Sequence, residues 1–153
     1  MRKIAVVLIA AIVGAVLTGV IASAGSRISS PTQIETVEAN KVQHTFDNGK
    51  SGFSIGDVIT VSDDLDDPAT GVKIAHMHEV CTAVHTKNVS LECIGTAELA
   101  DGQISVMGEF PPVDAEASYS IIGGTGAYEN VGGKMTVSAS PNEPLRLTFF
   151  LVP

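Results

Sequence analysis

Tryptophan is absent from this 153-residue chain, and its aromatic residues amount to two tyrosines and five phenylalanines. A cavity built to stack flat aromatic molecules would usually carry more rings than that. Positive charge is scarce too. Nine lysines and arginines stand against seventeen acids, and beyond residue 24 only seven cations remain, a formal −10. That balance argues against nucleic acid, and against an anionic membrane surface, as partners of the folded part. Cysteine is limited to Cys81 and Cys93. No window after residue 32 holds a sustained helical period, so helical architectures are excluded.

The longest apolar run lies at the N-terminus. Met1-Arg2-Lys3 supplies a positive start, Ile4 to Ile21 is almost wholly aliphatic, and Ala22-Ser23-Ala24 offers the small residues of a cleavage site. This pattern predicts a secretory signal peptide over residues 1–24, with an uncleaved membrane anchor as the alternative. Either places the folded part in a secreted or extracytoplasmic setting, touching membrane only through that segment if it is retained. "GSRISSPT" (25–32) reads as a flexible spacer, and residues 33–153 as one domain. In an oxidising compartment Cys81 and Cys93 are expected to form a disulfide across a turn centred near Lys87, the alternative being two separate buried thiols. Asn88-Val89-Ser90, in that turn, is a sequon that matters only in a glycosylating host.

Period-two segments recur between turn clusters every 10–14 residues or so, the spacing of an all-β barrel or sandwich. Eight strands are expected, over residues 33–46, 57–65, 72–84, 89–99, 103–110, 116–122, 134–140 and 145–152. With short connections throughout, they predict an antiparallel eight-stranded barrel, whose closure removes exposed sheet edges. Its interior has room for side chains or one small ligand.

"IIGGTGAYENVGG" (121–133) holds five glycines and suggests a phosphate loop at first sight. A phosphate loop requires a lysine directly after its last glycine, and the dinucleotide fingerprint requires a third spaced glycine opening a helix. Neither is present, so the glycines are read as backbone devices in a tight strand connection. Together with "DGQISVMGEF", "GDVITVSDDL" and "HEVCTAV", this stretch resembles the allene oxide cyclase and dirigent superfamily, over about residues 33–153. The resemblance implies an eight-stranded antiparallel barrel with an apolar cavity at one end, often assembled as a trimer, with a homodimer the other possibility. Members cyclise an unstable epoxide, steer phenoxy-radical coupling or fold a polyene into a cycloaddition. It also implies a hydrophobic small-molecule ligand, with no metal and no organic cofactor.

The plant cyclases hold water and epoxide with a Glu-x-Asn pair on the first strand and an Asn on the second. Glu38-Ala39-Asn40 matches the pair, and alternation places Glu38 and Asn40 on one face. Asp63 stands where the second Asn would be, a departure that adds negative charge. Carboxyl groups in an apolar pocket can act as general acid or base, whereas on an open acidic surface they merely face water. Glu38, Asn40 and Asp63 are therefore the expected catalytic set, with His76, His78 and Tyr119 expected at the ligand. His76 and His78 share a face, but a metal site needs a third ligand, which only His44 or His85 could supply. Glu79 falls on the opposite face with Met77 and Cys81. No Ser-His-Asp or Cys-His nucleophile can be assembled, so hydrolase chemistry fits poorly. Ile104, Val106, Ile121, Met135, Val137 and Leu147, with Phe149 or Phe150, are the expected core or cavity wall. Three functions fit this reading: a cyclase or isomerase without cofactor, a non-catalytic guide for a hydrophobic molecule, and a structural envelope protein with a filled barrel.

Overall fold

Alternating apolar and polar residues can bury one side chain in two only if the strands curl around a shared interior, and they do so here. The computed structural model describes residues 27–49, 51–85, 90–110, 116–140 and 142–153. The expected leader, Lys87, the sequon at Asn88 and the Pro111-Pro112 break lie outside the described residues. The described residues form strands β1 (Thr32–Phe46), β2 (Val58–Asp66), β3 (Lys73–His85), β4 (Ser90–Leu99), β5 (Gly102–Phe110), β6 (Ala117–Gly124), β7 (Gly132–Ser138) and β8 (Arg146–Val152). Each pairs antiparallel with the next, and β1 pairs with β8 from Thr32↔Leu151 to Val37↔Arg146, which closes the barrel.

The inward faces carry Leu65, Ala97, Ile104, Val106, Met135 and Phe149, all essentially buried. Phe149 rather than Phe150 is the inward member of its pair; Phe150 lies outside, beneath the Lys134 ammonium at 5.3 Å. Cys81 and Cys93 are direct cross-strand partners on β3 and β4 and form a buried disulfide. The staple fits the oxidising compartment expected from the leader.

The two halves of the family signature touch each other. Thr125 N–H donates to the Gln103 carbonyl at 2.9 Å, Ala127 N–H to the Asp101 carbonyl at 2.9 Å, and Gln103 N–H to Thr125 Oγ1 at 3.2 Å. This docking brings Gly126, at φ 63°, so close to the β4–β5 hairpin that a Cβ there would collide with the Asp101 carbonyl oxygen. Only glycine meets both demands. A single 3₁₀ turn, Gly126–Tyr128, follows where the sequence suggested no helix, and it tucks Ala127 and Tyr128 into the core. The glycine-rich segment thereby belongs to the barrel end where β5 begins, leaving the opposite end to a cavity.

Candidate functional site

The cavity opens at the end of the barrel where β1, β3 and β5 finish and β6 begins, with a volume of about 210 Å³. Sites that engulf a drug-sized ligand run from about 300 to 1,000 Å³. This one accepts a small molecule or one end of a larger one. Its wall is mostly aliphatic, from Ile59, Val61, Met77, Leu91, Met135 and Leu147, with Phe110 and Tyr119 as its rings. Two of the chain's seven aromatic residues are thus concentrated at one place. At the same end, buried Asp57 ties down the β1–β2 connection by accepting the Asn48 and Ser54 N–H groups at 2.9 and 2.7 Å and the Ser54 hydroxyl at 2.9 Å. Those bonds hold its carboxyl below the ordinary aspartate range.

β1 supplies polar groups to this cavity in an unexpected register. Glu38 faces inward, but a bulge interrupts the pairing with β2 between Ala39 and Val42, and Asn40 takes up the left-handed conformation at φ 50°. Asparagine tolerates that conformation better than most residues. The extra residue reverses the alternation: Lys41 and Gln43 line the cavity, while Val42 becomes 52% exposed. The expectation that Glu38 and Asn40 share a face is therefore corrected. Asn40 turns outward, where its side-chain amide donates to Asp64 at 2.9 Å.

Three carboxyl groups meet in the apolar interior: Glu38 from β1, Asp63 from β2 and Glu79 from β3. Lys41 Nζ pairs with Glu38 Oε1 at 2.9 Å near the mouth. Asp63 is only 6% exposed, and its Oδ1 has no hydrogen-bond partner. Burial pushes the Asp63 carboxyl up to about 7, the facing Glu38 adds to this through its charge and by accepting the shared proton, Lys41 opposes it, and Glu79 adds a further increment. Glu79 is raised as well, chiefly by burial, while the neighbouring Tyr119 hydroxyl pulls it back. Tyr119 is itself raised by burial and by the charge of Glu79. The cavity thus holds one carboxyl whose surroundings favour its protonated form near neutral pH.

No protein-family model matches the sequence, and no curated protein matches it. Among solved structures, a pyocyanin demethylase superposes with a TM-score of 0.71 at 26% identity, covering 79% of this chain and 100% of that one. The Diels–Alderase AbmU from Streptomyces koyangensis gives 0.64 at 16% identity, covering 86% of this chain and 72% of its own. A pterocarpan synthase dirigent protein gives 0.62 at 14%, with coverage of 80% and 83%. The chain shares its eight-stranded barrel fold with these proteins. Their names span different reactions, so the fold alone does not choose one.

The outer wall of the barrel carries a second polar cluster. Asp64 accepts from Asn40, from Lys73 Nζ at 2.5 Å and from His76 Nδ1 at 2.9 Å, and the other ring nitrogen of His76 meets Ser62 Oγ at 3.1 Å. These partners, led by Lys73, hold Asp64 far below the ordinary carboxylate range. His78 packs edge-on to His76 with ring centres 4.4 Å apart. Hydroxyl, imidazole and carboxylate stand in the order of a nucleophile relay, which sequence reading had not assembled. Ser62 nevertheless lies mid-strand in β2, paired with Val42 on one side and His78 on the other. Its neighbours' N–H groups are committed to the sheet, leaving no ready pair to stabilise an oxyanion. His76 and His78 therefore do not line the cavity that holds Glu38, Asp63 and Tyr119. His76→Ala is expected to change ligand binding in the cavity by no more than about twofold, as for a surface substitution remote from the site; titration calorimetry checks it.

Two cavity residues escaped the sequence reading of function. Glu79 was placed on the correct face with Met77 and Cys81 but given no role, although an acid flanked by inward apolar residues is the signal that marks it. Lys41 could be found only by anticipating the bulge. Glu79 lies close to both sulfurs, but these are joined in the disulfide, so the three are not a metal-ligand set.

Proposed function

We propose that this barrel is a proton-transfer cyclase or isomerase acting on a small, largely apolar molecule. The observation that carries the reading is Asp63, a buried acid with an unpartnered oxygen in an apolar cavity, held near neutrality by its surroundings. Protonated Asp63 gives its proton to a basic substrate atom, such as a carbonyl or epoxide oxygen. Glu38, paired with Lys41, takes a proton from an adjacent carbon as the new bond or double bond forms and passes it back to Asp63 across the cavity. Atoms and charge balance without a net oxidant. The aliphatic wall contributes orientation, worth up to about 7–11 kcal/mol in favourable intramolecular reactions. Export through the N-terminal leader is part of this reading. So is assembly into a homotrimer or homodimer, supported by the exposed row Val80, Ile94 and Met107 across β3, β4 and β5.

A second reading, a dirigent-like guide, is supported by the aliphatic wall and the likeness to a dirigent fold. Incubation with polyene, epoxide and phenolic substrates separates the two. A new isomer whose formation is lost in Asp63→Asn supports the cyclase. An altered enantiomeric excess that survives Asp63→Asn supports the guide. Unchanged products throughout would sink both for those substrates.

A further inference from the structure

Buried carboxyl groups are costly, and an aliphatic cavity meant for a hydrocarbon needs none. Here Glu38, Asp63 and Glu79 all face one cavity of about 210 Å³, and its single cation among the described residues, Lys41, is engaged with Glu38 near the mouth. Asp63 and Glu79 are left facing the interior without a cation of their own. The Asp63 Oδ1 atom is buried and has no hydrogen-bond partner among the described residues, so Asp63 joins the cavity wall with an acceptor to spare. Tyr119 and Phe110 stand in the same wall. Carboxylates beside aromatic faces are the surroundings in which a cationic nitrogen is held, by charge and by the ring quadrupoles together.

On the reading of the cavity as the binding site, we infer that its ligand is an apolar molecule carrying one positively charged nitrogen, either a protonated amine or a quaternised heteroaromatic ring, seated between Asp63 and Glu79 and against Tyr119 and Phe110. An anionic ligand would meet three acids with only Lys41 in its favour. A neutral hydrocarbon would leave the Asp63 oxygen unpartnered. A cation answers both deficits and draws Asp63 into its ionised form, so its uptake releases a proton and Asp63 serves that ligand as counter-ion, whereas for a neutral substrate it is the acid.

The groups that face Asp63 fix the sign of that coupling. Burial, Glu38 and Glu79 keep it protonated, Lys41 works against them, and among the described residues no other charged side chain lines the cavity. Below pH 7 the empty site holds the proton that the cation expels, and well above pH 7 little remains to release.

The test uses three probes of similar size: 1-methylquinolinium, its neutral counterpart 1-methylnaphthalene, and the anion 1-naphthoate. Binding to the full mature domain is followed by calorimetry in buffers of different ionisation enthalpy. The quinolinium is expected to bind at least about tenfold tighter than the neutral probe at pH 8, and to release protons at pH 6. Glu79→Gln, which keeps the shape of the side chain, is expected to cut that preference to about threefold or less. Asp63→Asn is expected to abolish the proton release. Binding of 1-methylnaphthalene by each variant shows that its cavity is intact. Equal or tighter binding of the neutral or anionic probe, or a cation preference untouched by Glu79→Gln, overturns the charge assignment while leaving the cavity as a binding site. Failure of all three probes to bind would overturn that reading of the cavity too.

Discussion

Asp63→Asn is expected to cost proton-transfer activity in the cavity about 100- to 10,000-fold, the usual contribution of a positioned acid or base. The same change is expected to stabilise the protein above pH 7. Both effects have one origin. Asp63 moves from its ordinary 3.8 to about 7 on folding. Between those values the native state binds a proton that the unfolded chain has lost, so stability declines as pH rises through this window. Near pH 4 the unfolded chain still holds about half of this proton and only a small part of the penalty remains. The asparagine variant lacks the penalty, and its unfolding midpoint should approach that of the parent near pH 4 and exceed it at pH 8. Glu79 remains and keeps a weaker slope of the same sign. Thermal melts across pH 4 to 8 decide the matter: parallel curves for parent and variant would mean that Asp63 titrates normally.

Replacing both cysteines by alanine is expected to cost about 3 kcal/mol, the scale set by a cross-link that closes a short loop. For a domain of this size that corresponds to a fall of about 10 °C in Tm. The barrel should still form, because β3 pairs with β4 from Ala75↔Leu99 to His85↔Ser90 with or without the bond. Cys81 also lines the cavity beside Glu79, so its loss frees the wall that positions that acid. The double variant should bind cavity ligands more weakly even well below its midpoint. Calorimetry with and without reductant tests this: the parent should lose stability on reduction and the variant should not respond. A parent indifferent to full reduction would show that the cross-link contributes nothing.

Strand content was legible because period two is a direct image of the fold. Leu91, Cys93, Gly95, Ala97 and Leu99 turn inward on β4 as their alternation requires, and each strand ends within two residues of its expected end. The glycine segment was legible for a different reason: its partner, the Asp101-Gly102 hairpin, lies close in sequence and bears the other half of the same signature. The candidate site was legible only in part. Glu38 and Asp63 lie in the cavity because their strands alternate regularly up to those positions. Past Ala39 the alternation reverses, and no sequence pattern announces a bulge at an asparagine that could equally continue the strand. That single conformational choice moved Asn40 outside and Lys41 within. His76 and His78 follow their strand faithfully, but period two says which residues share a face and not whether that face looks inward.

The claim on which the account rests is that the barrel interior holds a carboxyl tuned to neutral pH. Carbon-13 NMR of the aspartate carboxyls in the ligand-free protein, with Asp63 assigned by its loss in Asp63→Asn, measures this directly. A titration midpoint for Asp63 at about 7 is expected. A midpoint near the ordinary aspartate value of about 4 would contradict it.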